Sequence, residues 1–201
     1  MKQQINEWFA ANGDSTLRLD YQLDENSIVF DLGGYVGDWT SRIWEKYKCN
    51  IFVFEPIPHL SEQIKNKFLG NEKIKVFNFG LSNETKKLNI NYSEDGSSFH
   101  SNVGKQIIEC QIKSICDFIS ENKIEKIDLI KINTEGDEFE TLKSLIENNL
   151  IEIFTDIQVQ FHNFIPDAEN LRNELQEKLL KTHKLTYNFD FVWENWQKRI
   201  N

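Results

Sequence analysis

The residues best suited to chemistry gather where an apolar run breaks into glycines. Residues 28–40 read I-V-F-D-L-G-G-Y-V-G-D-W-T, a buried strand running into a glycine loop and then a helix. Glu55 follows at the end of the next apolar run, F-V-F-E-P. In a parallel α/β sheet that arrangement holds an adenosine: the loop lets backbone approach the ligand, and the carboxylate receives a ribose diol. A dinucleotide site wants G-x-G-x-x-G. In the frame from Gly33, Tyr35 and Asp38 stand where the second and third glycines belong; the frame from Leu32 matches only at Gly34 and Gly37. A side chain at the second glycine blocks a pyrophosphate, and Asp38 sets a carboxylate beside it at the helix N-terminus. The spacing present is D-x-G-x-x-x-G, from Asp31 through Gly33 to Gly37. It suits a cofactor with no phosphates and a cationic sulfur, S-adenosylmethionine. The alternative is an ordinary strand–turn–helix, which leaves the strand-end Glu55 unexplained.

A second group of polar residues, 133–138 with His162 beyond the following strand, is expected at the same end of the sheet. Methyl transfer from a sulfonium is an in-line displacement, so most of the catalysis is positioning. If the acceptor is an alcohol its proton must also leave, and a placed base contributes about 10²–10⁴-fold. Glu135 and His162 are the candidates; as structural residues they would be a turn cap and a satisfied strand-end histidine. His59, after a proline turn, and His183, on a helix end, read as surface residues, and His100 is unassigned. Asn133, Glu135, Asp156 and His162 offer oxygen and nitrogen ligands, but the mixture fits no sharp metal template, and no metal is expected. A G-x-S-x-G elbow and a P-loop are both missing.

These residues need a scaffold that brings strand ends together. A short helix is expected at residues 4–11 and the first core strand at 28–31. Trp39, Ile43 and Tyr47 then share one helical face, with Asp38 near the cap. The continuous apolar run 51–54 reads as a strand covered on both faces. Leu60, Ile64 and Phe68 mark another amphipathic helix, and a third strand is expected at 74–79, ending in N-F-G-L-S. Leu88, Ile90 and Tyr92, then Ile108, Cys110 and Ile112, alternate with polar residues. They predict two antiparallel strands around a polar loop at 94–102, an insertion over residues 86–113 able to reach over a site. Core order resumes with a strand at 127–132 and a helix carrying Phe139, Leu142 and Ile146. Residues 151–161 alternate strictly, and their polar face is expected to meet solvent or a polar cavity. A helix at 167–181 and a last strand through Leu185, Tyr187, Phe189 and Phe191 complete the order, with the aromatic tail 189–196 packed on the sheet. Alternating strands and helices predict an α/β fold with a doubly wound, mostly parallel sheet and ligands at the carboxyl ends of its strands.

Bulk properties narrow the partners. The 201 residues carry 27% charged and 39% hydrophobic residues, and no Pro/Gly/Ser-rich linker or repeat divides them, so one domain with an N-terminal lead-in over residues 1–24 is expected. No apolar run approaches the ~20 residues of a membrane span, and the N-terminus lacks the apolar core of a signal peptide, which points to the cytoplasm. The net charge of −9 repels phosphate backbones and anionic membranes; the nearest basic patch, Lys65 and Lys67, reads as a solvated helix face. Cys49, Cys110 and Cys116 are odd in number and scattered, which argues for free thiols.

Several motifs together resemble the FkbM family of S-adenosylmethionine-dependent methyltransferases: the glycine loop, F-E-P at Glu55 and Pro56, N-F-G-L-S, G-S-S-F at 96–99, and above all L-I-K-I-N-T-E-G-D-E-F-E-T-L. The likeness covers about residues 25–165. It implies a Rossmann-like class I methyltransferase fold with seven strands, S-adenosyl-L-methionine as cofactor, and methylation of hydroxyls on polyketides, sugars or cell-surface glycans. Carried over, Asp31, Gly33, Gly34, Tyr35 and Gly37 would wrap the methionine part of the cofactor. Glu55 would take the ribose, Pro56 would lie beside the adenine, and Gly80 and Leu81 would offer backbone to the base. Lys131, Glu135 and Gly136 match the second motif, whose usual aspartate is Asn133 here. An amide is neither a carboxylate base nor a good anionic metal ligand, so proton removal would shift to Glu135 or His162. The expected function is O-methyl transfer to a sugar, a nucleotide-activated sugar or a glycan precursor. A non-catalytic cofactor-binding or assembly module and an N-methyltransferase remain the alternatives.

Overall fold

Seven strands form the main sheet, and the order in which the chain visits them decides where a ligand can sit. The computed structural model describes residues 2–92 and 106–200; the polar loop at 94–102, with G-S-S-F and His100, lies outside the described residues. After helix α1 (Lys2–Ala10) and a series of turns, β1 (Ile28–Leu32) enters the core, followed by α2 (Asp38–Tyr47), β2 (Asn50–Phe54), α3 (Pro58–Lys67) and β3 (Ile74–Phe77). β1 to β3 lie side by side and parallel. The chain then leaves this sheet for a smaller one. β4 (Gly80–Ser82) runs parallel to β6 (Gln106–Ser114), which pairs antiparallel with β5 (Lys86–Tyr92). Helix α4 (Ile115–Glu121) leads back to β7 (Ile127–Ile132), parallel to β1 on its other side. Helix α5 (Glu138–Glu147), β8 (Phe154–Val159), α6 (Ala168–Leu179), β9 (His183–Phe189) and β10 (Trp193–Lys198) follow. The sheet order is β3-β2-β1-β7-β8-β10-β9, with β10 antiparallel to both neighbours. The progression reverses between β1 and β7, the switch point at which a parallel sheet opens a crevice.

Core composition explains the element types. Val29, Phe30 and Leu32 in β1 and Leu129, Ile130 and Ile132 in β7 are fully buried, as strands covered on both faces require. Phe30, Phe54 and Phe77 pack edge-on around Phe118 of α4. That helix was not expected from the sequence; I-C-D-F-I is too short to show a helical period, and its marker is Ser114, whose hydroxyl caps Asp117 N.

Three expectations change, and that for the polar face of residues 151–161 holds in part. The third strand ends at Phe77, not Phe79, because N-F-G-L-S is where the chain crosses to the second sheet. The alternation at 151–161 opens with a single 3₁₀ turn, Ile151–Ile153, before β8. The polar face of β8 meets protein: Asp156 accepts from Asn195 Nδ2 at 3.0 Å, and Gln158 donates to the Arg18 carbonyl at 3.2 Å and to Tyr21 Oη. Asp156 also lines a small polar cleft of about 240 Å³ with Tyr21, Tyr187 and Asn195. Finally, the apparent last strand is a hairpin, and His183 is buried at its start rather than on a surface helix, with Nε2 on the Phe154 carbonyl at 3.1 Å. Trp193 and Trp196 are buried in β10, so the aromatic tail packs on the sheet.

Candidate active site

A cavity of about 480 Å³ lies over the ends of β1, β2 and β7, in the size range of small-molecule sites. The glycine loop forms one wall. Gly33 and Gly37 both hold left-handed φ angles, 80° and 77°, and Gly37 is the residue from which α2 starts. A Cβ on Gly33 would fall on the Asn133 carbonyl oxygen, so glycine there lets β1 and β7 close behind the cavity. Gly33→Ala is therefore expected to cost about 2–4 kcal/mol of unfolding free energy, read as a fall in Tm of about 5–10 °C in a thermal melt.

Glu55 reaches the cavity from the end of β2 and is almost wholly buried. Its two oxygens accept from Tyr35 N at 2.8 Å and Ile57 N at 2.9 Å. Burial pushes its carboxyl up to about 7, against the two backbone donors and Lys131, which lower it. Tyr35 holds a positive φ of 51° and donates its N–H to Glu55, while its side chain is half-exposed. Pro56, Gly80 and Leu81 continue this end of the cavity, and Leu88, Ile90 and Ile112 of the second sheet close over it.

Asp31 is placed differently from the expectation that it wraps a ligand. It is fully buried and does not line the cavity. One oxygen accepts from Thr40 Oγ1 at 2.6 Å, the other from Lys131 Nζ at 3.0 Å. Lys131 also donates to the Gly33 carbonyl at 2.7 Å, so the Asp31–Lys131 pair fastens the loop from behind. Burial depresses the Lys131 ammonium, and the Asp31 charge opposes it. Gly37 likewise shapes the wall without reaching the cavity.

At the other end the structure brings Glu135 and His162 together, with Glu138 between them in role. Glu138 is fully buried at the start of α5. Its Oε1 accepts from His162 N at 2.8 Å and lies 2.7 Å from His162 Nδ1; its Oε2 accepts from Gly136 N at 2.9 Å and Thr134 Oγ1 at 3.3 Å. One carboxylate thus holds both the exit turn of β7 and the histidine. His162 Nε2 lies 3.7 Å from Glu135 Oε1. Glu135 lines the cavity and His162 stands behind it. Burial alone would depress His162, but the Glu138 hydrogen bond and the charges of Glu138 and Glu135 outweigh it and raise the imidazole above its ordinary value. Glu135 is raised by burial, with His162 opposing. Asp156 faces Asn195 instead of this group, and among the described residues no three His, Cys, Asp or Glu side chains gather as a metal set.

The residues present fit S-adenosylmethionine. Asn133 Oδ1 is buried at the cavity wall with no hydrogen-bond partner among the described residues, a bare acceptor for a ligand donor. Glu55 offers a carboxylate, and Gly33 leaves room where a side chain would collide. Arg18 was missed by the sequence reading, and Asp137 and Glu138, though within the polar group at 133–138, were given no role of their own. Arg18 and Asp137 line the cavity, and Asp137 is raised by burial against a Ser82 hydrogen bond.

Fold and cavity together define a class I, S-adenosylmethionine-dependent methyltransferase. Residues 31–189 match the methyltransferase FkbM domain, and the chain belongs to that family. It is 24% identical over 176 residues, 85% of this chain and 71% of the relative, to hexuronic acid methyltransferase AglP of Haloferax volcanii. Among solved structures, a putative rRNA-methylase from Clostridium thermocellum matches with TM-score 0.59 at 9% identity, covering 95% of this chain and 96% of that one. A putative methyltransferase from Streptococcus mutans in complex with SAH matches with TM-score 0.54 at 11% identity, over 95% and 97%. At such identities these two likenesses carry the fold alone. No helix among the described residues is long and apolar enough to cross a membrane.

Proposed function

We propose that the protein methylates a hydroxyl of a sugar, a nucleotide-activated sugar or a glycan precursor. When bound, S-adenosylmethionine supplies an electrophilic methyl on a sulfonium, so no metal is needed to activate the donor. The chain's part is to bind, orient and remove a proton. Glu55 holds the ribose diol, and the loop at Gly33 and Gly34 lies along the methionine part. Pro56, Gly80 and Leu81 flank the base. Asn133 accepts from the ligand and does not act as base. Glu135, raised by burial and facing the cavity, takes the acceptor proton with His162 behind it. The observation that carries the assignment to oxygen is the Glu135–His162–Glu138 group, because an alcohol must lose a proton that a neutral amine can shed unaided. The sugar class is supported by the named substrate of the Haloferax relative. Within this reading the chain works as one methyltransferase unit in the cytoplasm, and its net charge of −9 disfavours nucleic acid as acceptor.

The test is transfer of labelled methyl from S-adenosylmethionine to a panel of hexuronic acids, nucleotide sugars and glycans, with product NMR. Methyl on a sugar oxygen is the expected result. Methyl on nitrogen would give the N-methyltransferase reading, and cofactor binding without transfer to any acceptor would give the non-catalytic module.

A further inference from the structure

Among the described residues, Lys131 and Arg18 are the two cations that line the cavity, and only one has donors to offer a ligand. The Lys131 ammonium has three hydrogens, and three oxygens take them: Asp31 Oδ1 at 3.0 Å, the Leu32 carbonyl at 3.3 Å and the Gly33 carbonyl at 2.7 Å. A guanidinium has five. Arg18 Nη1 meets the half-exposed Asp14 at 3.0 Å, while Arg18 Nε is buried without a partner among the described residues. In a chain of net charge −9, this is a cation kept in the wall of a cavity with its capacity unfilled.

Its place is fixed from three sides. The Arg18 carbonyl accepts from Trp39 Nε1 at 3.1 Å and Gln158 Nε2 at 3.2 Å, which ties the lead-in segment to α2 and β8. The guanidinium carbon lies 4.0 Å from the centroid of the Trp193 ring, within cation–π range. It is close enough to Lys131 for its charge to help depress that ammonium. Arg18 therefore stands on the β7–β8 side of the cavity, whereas Glu55 stands on the β2 side, across β1. Adjacent strands are ~4.8 Å apart, so Glu55 and the Lys131 end are separated by about 10 Å. The cavity has an acidic end and a basic end.

We infer that Arg18 forms a carboxylate-binding subsite opposite Glu55, filled by the α-carboxylate of the donor's methionine part. The inference rests on the cofactor reading of the cavity. A ligand whose diol meets Glu55 at β2 and whose tail crosses β1 delivers its far end to Arg18. Bidentate pairing of guanidinium with carboxylate is the strongest contact that residue can make there. An acceptor's carboxylate is the other source of the same chemistry.

Calorimetry with S-adenosylhomocysteine and 5′-methylthioadenosine separates them, since the second ligand keeps the nucleoside and thioether and lacks the amino acid. Arg18→Gln is expected to weaken S-adenosylhomocysteine by about 10–100-fold and to leave methylthioadenosine within about twofold, with Arg18→Lys recovering part of the loss. Equal weakening of both ligands would make Arg18 a strut over Trp193 and overturn the subsite. Unchanged S-adenosylhomocysteine affinity, with a raised KM for an acidic acceptor, would assign the carboxylate to the acceptor and overturn it too. Should the variants misfold, the intact protein decides with decarboxylated S-adenosylmethionine: at least about tenfold weaker binding than S-adenosylmethionine supports the subsite, and equal binding refutes it. If the intact protein binds none of these ligands, the cofactor pocket itself fails.

Discussion

Glu55→Ala is expected to weaken S-adenosylhomocysteine binding by about 100–1000-fold at pH 8. On the proposed reading, a ribose diol would donate two hydrogen bonds to a carboxylate that is already fixed by Tyr35 N and Ile57 N. Bonds to a charged acceptor contribute about 1.5–3 kcal/mol each, and removing the acceptor strands both hydroxyls. The same geometry predicts a pH dependence. Burial pushes the Glu55 carboxyl up to about 7, and on the proposed reading the ionised form is the one that would bind the diol. Affinity should be full well above that value and fall as pH drops through it, by about tenfold between pH 8 and pH 6. Folding shows the opposite sign. The folded carboxyl holds its proton more tightly than the unfolded one, so this group's contribution to stability is complete below about 4.5 and is lost as pH rises through about 7. Cofactor should thus raise Tm more at pH 8 than at pH 6. Calorimetry of the wild type and Glu55→Ala across this range checks both signs; affinity that is flat with pH, or indifferent to the substitution, would remove Glu55 from the site.

How much of this was readable from residues follows from how local each signal is. The loop after β1 and Glu55 after β2 were legible because strand, turn chemistry and carboxylate lie within residues 28–56, and parallel pairing of β1 with β2 then brings them together. The motif around residue 131 announced its turn, but the glycine-loop motif read Asp31 as a ligand group when its partner is Lys131, a hundred residues away. Arg18 carried no signal at all: its segment has no period, and its place in the cavity wall comes from Trp39, Gln158 and Trp193, which sequence does not place beside it. Glu138 was hidden for another reason. An acidic residue in the first turn of a helix is what the helix dipole favours anyway, so a buried carboxylate holding His162 looks in sequence like an ordinary helix start. The hairpin of β9 and β10 was missed because apolar alternation persists through the turn at 190–192, where period-two counting registers no break.

Glu138→Gln tests the least visible of these residues. Turnover should fall about 10–100-fold while S-adenosylhomocysteine affinity stays within about threefold, and His162→Ala should lose about 10²–10⁴-fold in turnover. The reasoning is electrostatic. With Nδ1 donating to Glu138 Oε1, His162 presents Nε2 toward Glu135, and the neighbouring charges raise the imidazole above its ordinary value. Only the unprotonated imidazole can receive a proton, so kcat should climb as pH rises through the raised His162 value. The side-chain amide introduced by the substitution keeps the shape and an acceptor but removes the charge. The acid limb of the kcat profile should therefore move to lower pH while its plateau drops, a shift that loss of packing alone does not produce. The wild-type pair also leaves a thermodynamic mark. A histidine raised by folding stabilises the protein fully below about 6.5 and loses that contribution as pH rises through its folded value, so wild type and Glu138→Gln should differ more in Tm at pH 6 than at pH 9. A variant with a lower rate and an unmoved limb would leave Glu138 as a buried anchor of the turn at Gly136 and return proton removal to Glu135 acting alone.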